Sequence, residues 1–180
     1  MFSDFRGSVL FAHYNERLAV HSQNDLGIEH AVETMTRTGV CDEQKYPSTR
    51  ASSRAEIEPP GVDCFQNAST HKIESHKIKP DRESIKKCLS SNFPVVTACA
   101  VFPQLHDCPS DGFVQLPERG EKSLGGIALL LVGFDDEADE GVWIVRNSLG
   151  EEWGDLGHAY LAYGWENYFS DLYVITSPDP

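Results

Sequence analysis

The sequence that decides the fold is residues 125–165, GGIALLLVGFDDEADEGVWIVRNSLGEEWGDLGHAYLAYGW. Residues 127–134 form a nearly continuous apolar run that ends at an acidic turn, which predicts a strand buried on both faces. Residues 142–145 and 159–163 predict two further strands. The loop between them contains three glycines, Gly150, Gly154 and Gly157. Glycines at this density indicate a loop with special backbone requirements.

The segment from Trp143 to Gly157 reads W-I-V-R-N-S-L-G-E-E-W-G-D-L-G. It resembles the block around the catalytic asparagine of the papain-like cysteine peptidases (C1 type), W-x-x-x-N-S-W-G-x-x-W-G-x-x-G. Leu149 is the one position of that pattern that departs, since the family usually has tryptophan there. The resemblance implies an α+β, papain-like fold with an antiparallel β lobe. It also places Asn147 at the position of the amide that orients the catalytic histidine.

A second block, residues 125–134, reads G-G-I-A-L-L-L-V-G-F and resembles the family's G-G-H-A-x-x-x-V-G-Y/F. The histidine of that pattern is the catalytic base, and this chain has Ile127 in its place. A papain-type site needs a cysteine thiolate, an imidazole that pairs with it and an amide that orients the imidazole. Isoleucine can neither accept a proton nor form an ion pair. We therefore expect Asn147 to be vestigial and to hydrogen-bond its own loop.

The resemblance extends towards the N-terminus, where a predicted helix is followed by Gly39, Glu43, Tyr46 and Pro47 in the family's spacing G-x-x-x-E-x-x-Y-P. The family's cysteine motif, Q-x-x-C-G-S-C-W, does not occur in the sequence. The resemblance therefore implies a truncated helical lobe over residues 1–69 and a β-rich lobe over residues 70–180, which together make one papain-like domain.

The remaining elements follow from periodicity and from helix start and stop signals. Ser8 is a candidate N-cap for a helix within residues 1–24 whose apolar face is Leu10, Phe11, Tyr14 and Leu18. Further predicted elements are a helix over 26–38 that stops at Gly39, a surface connection over 48–70, a strand within 71–79, a helix over 81–92 capped by Asp81, a strand over 95–102, a loop over 103–123 and a strand over 172–175.

Composition limits the classes of partner. The 180-residue chain has a net charge of −13 at pH 7. A surface of that charge repels phosphate backbones and anionic membranes, so we expect neither a nucleic-acid nor a membrane partner. The N-terminal residues lack the features of a signal peptide, which makes a cytoplasmic location the default expectation.

The five cysteines contain no C-x-x-C pair, so neither a zinc ribbon nor a complete disulfide framework is supported. Reduced thiols are the simplest expectation, although one bridge stays open, for example between Cys64 and Cys108, which we expect in exposed loops. Cys99 and Cys88 are predicted to pack in the interior. No cofactor is expected.

The sequence gives only weak signals for a metal site or for acid–base chemistry. His106-Asp107-Cys108 is the single close grouping of histidine and cysteine, and isolated matches of this kind are mostly accidental. His71 and His76 are five residues apart, which places them on opposite faces of a strand and argues against a shared metal. The acidic residues of 135–140 are typical of a solvated hairpin tip, with calcium binding or acid–base chemistry as the alternative.

Three functions remain open. The first is a catalytically inactive papain-like homologue that acts as a polypeptide-binding or regulatory protein. The second is a cysteine-type endopeptidase whose nucleophile lies on a missing N-terminal piece or on a second chain, and the third is a degenerate fragment. Loss of the nucleophile helix would uncover an apolar seam, predicted at Leu10, Phe11, Tyr14, Ile127 and Leu129, through which the chain would self-associate or recruit a partner.

Overall fold

The computed structural model describes residues 5–19, 27–50, 58–138 and 140–176. The chain divides into two compact units, residues 1–75 with 176–180 and residues 76–175. The boundary falls inside the first strand.

The first unit contains three helices, α1 (Val9–Ala19), α2 (Ile28–Thr38) and α3 (Val62–Ser69), and a short 3₁₀ turn over Ser48–Arg50. Ser8 caps α1, since its Oγ accepts a hydrogen bond from Phe11 N at 3.1 Å. Gly39 ends α2 with a φ of +77°, a conformation that side chains with a Cβ rarely adopt. Residues 1–4 and 20–26 of the predicted helices lie outside the described residues.

Two predictions in this unit are wrong. Residues 62–69 form α3, although Pro59, Pro60 and Gly61 suggested a connection without structure; these breakers precede the helix instead of interrupting it. Leu18 is 66% exposed although Leu10 and Phe11 are buried. Leu18 is eight residues from Leu10 and so points about 80° further around the helix.

The second unit is built on a seven-stranded sheet in the order β1-β7-β2-β4-β5-β6-β3. The strands are β1 (Glu74–Lys77), β2 (Val95–Val101), β3 (Phe113–Val114), β4 (Gly125–Asp135), β5 (Val142–Arg146), β6 (His158–Ala162) and β7 (Phe169–Thr176). The ladders β2–β4, β2–β7, β4–β5 and β5–β6 are antiparallel, and β3 pairs in parallel with β6. The α+β, papain-like fold class predicted from the sequence is confirmed.

Two helices accompany the sheet, α4 (Arg82–Ser90) and α5 (Pro103–His106). Asp81 caps α4 as predicted, since its carboxylate accepts a hydrogen bond from Ser84 N at 2.8 Å. The predicted loop over 103–123 is wrong in part, because it contains α5 and β3. Pro103 lies at the start of α5, where its fixed φ favours a helical first turn.

The prediction that residues 127–134 are buried on both faces is wrong. Leu129 and Leu131 are almost completely buried, whereas Val132 is 39% exposed. An antiparallel sheet directs alternate side chains to opposite faces, and only one of these faces needs to be covered. The apolar run suggested burial on both faces because leucine and valine also occupy the less covered face of β4.

The core of the second unit lies beneath the central strands. Its largest fully buried side chains are Trp143 and Trp165, and Ile85 of α4 packs into it. Among the described residues, no helix combines the length and the hydropathy needed to cross a bilayer.

Candidate functional site

Asn147 directly follows β5 and is 8% exposed. Its backbone N donates to Gly157 O at 3.0 Å, which closes the base of the loop that follows. Its side-chain Oδ1 accepts a hydrogen bond from Ser148 N at 2.7 Å. Its Nδ2 is buried and has no hydrogen-bond partner among the described residues. The amide therefore bonds its own loop through one atom and leaves the other unused.

The loop between β5 and β6 depends on one glycine in particular. Gly154 has a φ of +60°, and a Cβ at this position would lie 2.2 Å from the backbone O of His158. The loop is closed further by Asp155 N, which donates to His158 O at 2.9 Å. Because the backbone approaches so closely, only glycine fits at residue 154. The glycine pattern of the sequence thus reflects loop geometry.

Ile127 lies on β4 directly opposite Cys99 of β2. Its side chain is partly buried and packs against the core of the second unit. Residues opposite each other in an antiparallel pair direct their side chains to the same face of the sheet. Position 127 is therefore occupied by an aliphatic side chain next to a cysteine, and no ionisable group is present on either side chain except that thiol.

The Cys99 thiol does not resemble a nucleophile. It is 1% exposed, and burial raises its pKa to about 12. The thiolate is the reactive form of cysteine, so a pKa this high leaves the side chain inert at neutral pH. Cys99 is a core residue, as the sequence predicted, and Cys88 is partly buried on α4.

Cys108 and its neighbours form no reactive centre. The Cys108 thiol contacts Pro109 O and Gly112 O at 3.7 and 3.9 Å. Burial, followed by the nearby Asp111 carboxylate, raises its pKa to about 11. His106 pairs with Asp107 at 2.7 Å on the surface. Within the ranges that the structure describes, no group of three or more potential ligands could hold a metal ion.

The other histidines and the acidic residues of the turn after β4 are dispersed. His158 lies at the start of β6, where its Nδ1 is 3.2 Å from Leu156 O. His71 precedes β1 and stacks on Phe5 with ring centroids 4.1 Å apart, while His76 lies within β1. In the acidic turn, Asp136 pairs with Lys86. Asp139, another member of that turn, lies outside the described residues.

Sequence reasoning missed a polar cluster around Glu166, whose side chain is only 10% exposed. Arg82 donates to Glu166 Oε1 from Nη2 at 2.7 Å and from Nε at 2.9 Å. Trp143 Nε1 and Gly164 N donate to Oε2 at 2.9 and 2.6 Å. Burial opposes ionisation of Glu166, but these donors outweigh it and hold its pKa below the ordinary value. Gly164 is a neighbour in sequence, but Arg82 and Trp143 lie 84 and 23 residues from Glu166, so no local pattern could have revealed the cluster.

The same cluster continues through Tyr163. The Arg82 guanidinium lies 4.2 Å from the centroid of the Tyr163 ring, and Tyr163 OH donates to Asp136 Oδ1 at 2.6 Å. Burial, together with the hydrogen bond to Asp136, raises the pKa of Tyr163. The cluster thus joins α4, the turn after β4 and the end of β6 by hydrogen bonds and cation–π contact. Its role is to hold elements in place.

The predicted apolar seam is not found where it was expected. Leu10, Phe11 and Leu129 are 8%, 0% and 2% exposed, so these three assignments are wrong. Tyr14 and Ile127 are partly buried. Leu10 and Phe11 pack within the small core of the first unit. This core was not predicted, because α3 was not predicted. In the second unit, Leu149 and Leu156 are instead 61% and 71% exposed.

Known proteins resemble this chain in sequence. An uncharacterized peptidase C1-like protein of Acanthamoeba polyphaga mimivirus is 31% identical over 95% of this chain and 59% of its own length. A cathepsin L-like peptidase of Aedes aegypti is 28% identical over 72% of this chain and 37% of its own length. The chain thus spans about two fifths to three fifths of the length of these relatives.

Solved structures agree with the sequence relatives. Xylellain, a cysteine protease from Xylella fastidiosa, superposes with a TM-score of 0.86 at 26% identity, over 99% of this chain and 73% of that one. The procathepsin B of Trypanosoma congolense, at 16% identity, shares the fold with a TM-score of 0.72 over 97% of this chain and 61% of its own. The model of the papain family cysteine proteases matches residues 24–172. The chain therefore belongs to the papain family of cysteine proteases.

Proposed function

We propose that this chain is a catalytically inactive member of the papain family that binds polypeptide. The observation that carries the proposal is Ile127, which occupies the position of the family's catalytic histidine on β4. An aliphatic side chain cannot take the proton of a cysteine thiol or stabilise the thiolate. The nearest cysteine across the sheet, Cys99, is buried with a raised pKa.

In this proposal Asn147 keeps the family position of the orienting amide without that role. Its Oδ1 bonds the loop backbone and its Nδ2 has no partner among the described residues. Residues 1–69 correspond to a truncated helical lobe and residues 70–180 to a β-rich lobe of one papain-like domain. This correspondence remains part of the proposal.

Binding of polypeptide is supported by the loop that follows Asn147. Leu149 and Leu156, both on this loop, are 61% and 71% exposed. Large apolar side chains held at the surface are typical of interaction sites when they occur together. The family relatives are named as peptidases, which act on polypeptides. The net charge of −13 favours neither nucleic acid nor anionic membrane as the partner. Self-association through the same loop is the competing outcome.

Cleavage of a fluorogenic dipeptide substrate tests the proposed inactivity. The purified chain is assayed with and without a thiol-alkylating inhibitor, and we expect no turnover above the buffer in either case. Ile127→His is the matched variant, and we expect it to remain inactive because an imidazole there would face a buried, protonated Cys99. Inhibitor-sensitive turnover by the natural chain would show that it is a peptidase. Turnover that appears only in Ile127→His would show that a competent cysteine is present and that Ile127 alone prevents catalysis.

A second candidate function follows from the length of the relatives. A cysteine-type endopeptidase could be assembled if the nucleophile segment lies on another piece or chain, since this chain covers only part of each relative. The coding sequence upstream of Met1 distinguishes the two. If a Q-x-x-C-G-S-C-W segment is encoded there, the longer chain is assayed in the same way, and Ile127 still predicts no turnover.

Polypeptide binding has its own test. Fluorescence anisotropy with a labelled, unfolded casein measures affinity for the natural chain and for the double variant Leu149→Ser, Leu156→Ser. We expect the double variant to bind at least several-fold more weakly. The matched control is Leu124→Ser, because Leu124 is equally exposed at 62% but lies outside this loop. Equal affinity of all three proteins for casein would contradict the proposed surface. If the natural chain does not bind casein, but the double variant differs from it in sedimentation, the loop mediates self-association instead.

A further inference from the structure

The first unit contains two cysteines in one small core. Cys41 follows α2 and is 0% exposed, and Cys64 lies on α3 and is 2% exposed. Both belong to the same cluster of buried residues, which also includes Leu10, Phe11, Tyr46 and Ala68. A third of the side chains in this cluster are therefore thiols, in a core much smaller than that beneath the sheet.

The backbone around Cys41 is fixed against α3 on both sides. Asp42 N donates to Asn67 Oδ1 at 2.8 Å, and Val40 N donates to His71 O at 3.0 Å. Gly39 approaches so closely that an added Cβ would lie 1.8 Å from Ala68 O. Residues 64, 67 and 68 share one face of a helix, because positions three and four apart are neighbours. These contacts hold the Cys41 segment against the C-terminal turn of α3, about one helical turn from Cys64, which is buried in the same cluster.

The two thiols also influence each other electrostatically. Burial is the largest cause that raises the pKa of Cys41 to about 12, and the Cys64 thiol is the next. For Cys99 burial is the only cause, and for Cys108 the second cause is the Asp111 carboxylate. Among these three cysteines, Cys41 alone has another thiol as its neighbour.

We propose that Cys41 and Cys64 form a structural disulfide that joins α3 to the segment after α2. The oxidant is a small disulfide such as oxidised glutathione. One cysteine thiolate attacks it and releases one glutathione, and the second cysteine then attacks the mixed disulfide and releases the other. Two cysteine S–H bonds are lost, one S–S bond forms, one S–S bond of the oxidant breaks, and both protons end on the two glutathione thiols.

The bond forms during folding and not in the folded chain. In the folded state both thiols are shielded from solvent, and the attacking species is the thiolate, which burial disfavours. The same shielding protects the finished bond, because a reductant must reach one of its sulfur atoms. The pair therefore acts as a permanent cross-link of a small core and not as a reversible switch.

The first test is made on the natural chain. The reduced, unfolded protein is refolded in a buffer of reduced and oxidised glutathione, blocked with iodoacetamide, and digested without reductant for mass spectrometry. The structure holds all five cysteines as free thiols. After oxidative refolding we expect one cross-linked pair, Cys41 with Cys64, and three alkylated cysteines. Five alkylated cysteines, or a bridge that joins a different pair such as Cys64 with Cys108, would overturn the proposal.

The second test asks whether the bond stabilises the fold. We expect the oxidised preparation to melt about 5–10 °C above a preparation refolded under reductant, as for a cross-link that closes a loop of some twenty residues. Cys41→Ala and Cys64→Ala should lose this difference, and Cys88→Ala should keep it. Equal melting temperatures of the two natural preparations would contradict a stabilising disulfide. If either alanine variant fails to fold, the peptide map of the natural chain decides alone.

Discussion

Residues 142–157 and residues 125–134 both match papain-family patterns, but the two blocks use their family residues for different purposes. In the first block, Trp143 is fully buried and hydrogen-bonded to Glu166. Gly154 occupies a site that a Cβ would fill. In the second block, Ile127 is a partly buried side chain on a strand, where many apolar residues would fit.

From this difference we infer which family residues depend on the fold and which depend on catalysis. A residue that the fold itself requires is retained whether or not the protein is an enzyme, so Trp143 and Gly154 identify the family and nothing more. At position 127 we expect a weaker structural requirement, so that in the proposed function the residue there reflects the chemistry of the site. The contrast predicts a gradient of effects, large where the fold needs the side chain and small at residue 127.

Trp143→Ala should have the largest effect. It removes a fully buried indole and leaves Glu166 without one of its donors, so we expect a loss of about 3–5 kcal/mol in the free energy of unfolding. Urea denaturation followed by far-UV circular dichroism measures it, since tryptophan fluorescence would change with the mutation. Trp143→Phe keeps an aromatic ring, although a smaller one, and removes the N–H, so it should cost less. A loss below about 1 kcal/mol for the alanine variant would contradict the conclusion that the fold requires Trp143.

Glu166→Gln should have the next largest effect. The amide oxygen can still accept from Trp143 and Gly164, but the charge that faces Arg82 is lost, and hydrogen bonds to charged groups contribute about 1.5–3 kcal/mol each in folded proteins. Since Arg82 is 46% exposed, solvent screens its part and we expect a loss of about 1–2 kcal/mol at pH 7. The matched control is Asp171→Asn, which removes the charge that faces Lys77 in a salt bridge. The Asp171 side chain is 38% exposed, so this variant should cost less.

The same carboxyl gives a pH dependence of known sign. Its pKa is lower in the folded chain than its ordinary value of 4.5. The stability it contributes is therefore complete above pH 4.5 and is lost as the pH falls from there through the folded pKa. Urea midpoints measured between pH 7 and pH 3 should fall more steeply for the natural chain than for Glu166→Gln. Parallel curves for the two proteins would show that Glu166 does not carry this charge in the fold.

The sequence predicted the parts of the molecule that depend on neighbouring residues. Ser8 and Asp81 cap their helices because a cap is a local hydrogen bond. The strands of the β lobe follow from short apolar runs and from the family pattern. The Glu166 cluster could not be predicted, since Arg82 and Glu166 lie 84 residues apart in the sequence. The contact between Cys41 and Cys64 could not be predicted either, since these two residues are about twenty residues apart. Periodicity along the chain carries no information about such pairs.

The burial of individual residues was predicted less well than the elements. Cys64 was expected in an exposed loop, yet α3 buries it. The prediction failed because the preceding prolines and glycine were interpreted as the interior of a loop. For β4, the sequence indicated the strand correctly but not which face is covered, because both faces of this strand carry apolar residues.

Asn147→Ala should have a modest effect. It removes the hydrogen bond from Ser148 N to Oδ1, the one that this side chain makes with the described residues, and we expect a loss of about 1 kcal/mol. The unpaired Nδ2 makes no contribution that could be lost. Ser148→Ala leaves the backbone N–H in place and, at an exposed position, should stay within about 0.5 kcal/mol of the natural chain. A loss above about 3 kcal/mol in Asn147→Ala would indicate a buried partner for Nδ2.

Ile127→Val should have the smallest effect and tests the contrast most directly. Removal of one methylene from a fully buried isoleucine costs about 0.5–1.5 kcal/mol, and Ile127 is only partly buried, so we expect less than about 1 kcal/mol. Ile127→Thr has nearly the shape of the valine variant but places a hydroxyl next to Cys99, and should cost somewhat more. Both values come from urea denaturation under the conditions used for Trp143→Ala. If Ile127→Val were as damaging as Trp143→Ala, residue 127 would be fixed by packing, and an isoleucine there would say nothing about the loss of a catalytic base. A small cost for both variants would show that packing does not fix the residue at position 127, as the proposed loss of a catalytic base requires.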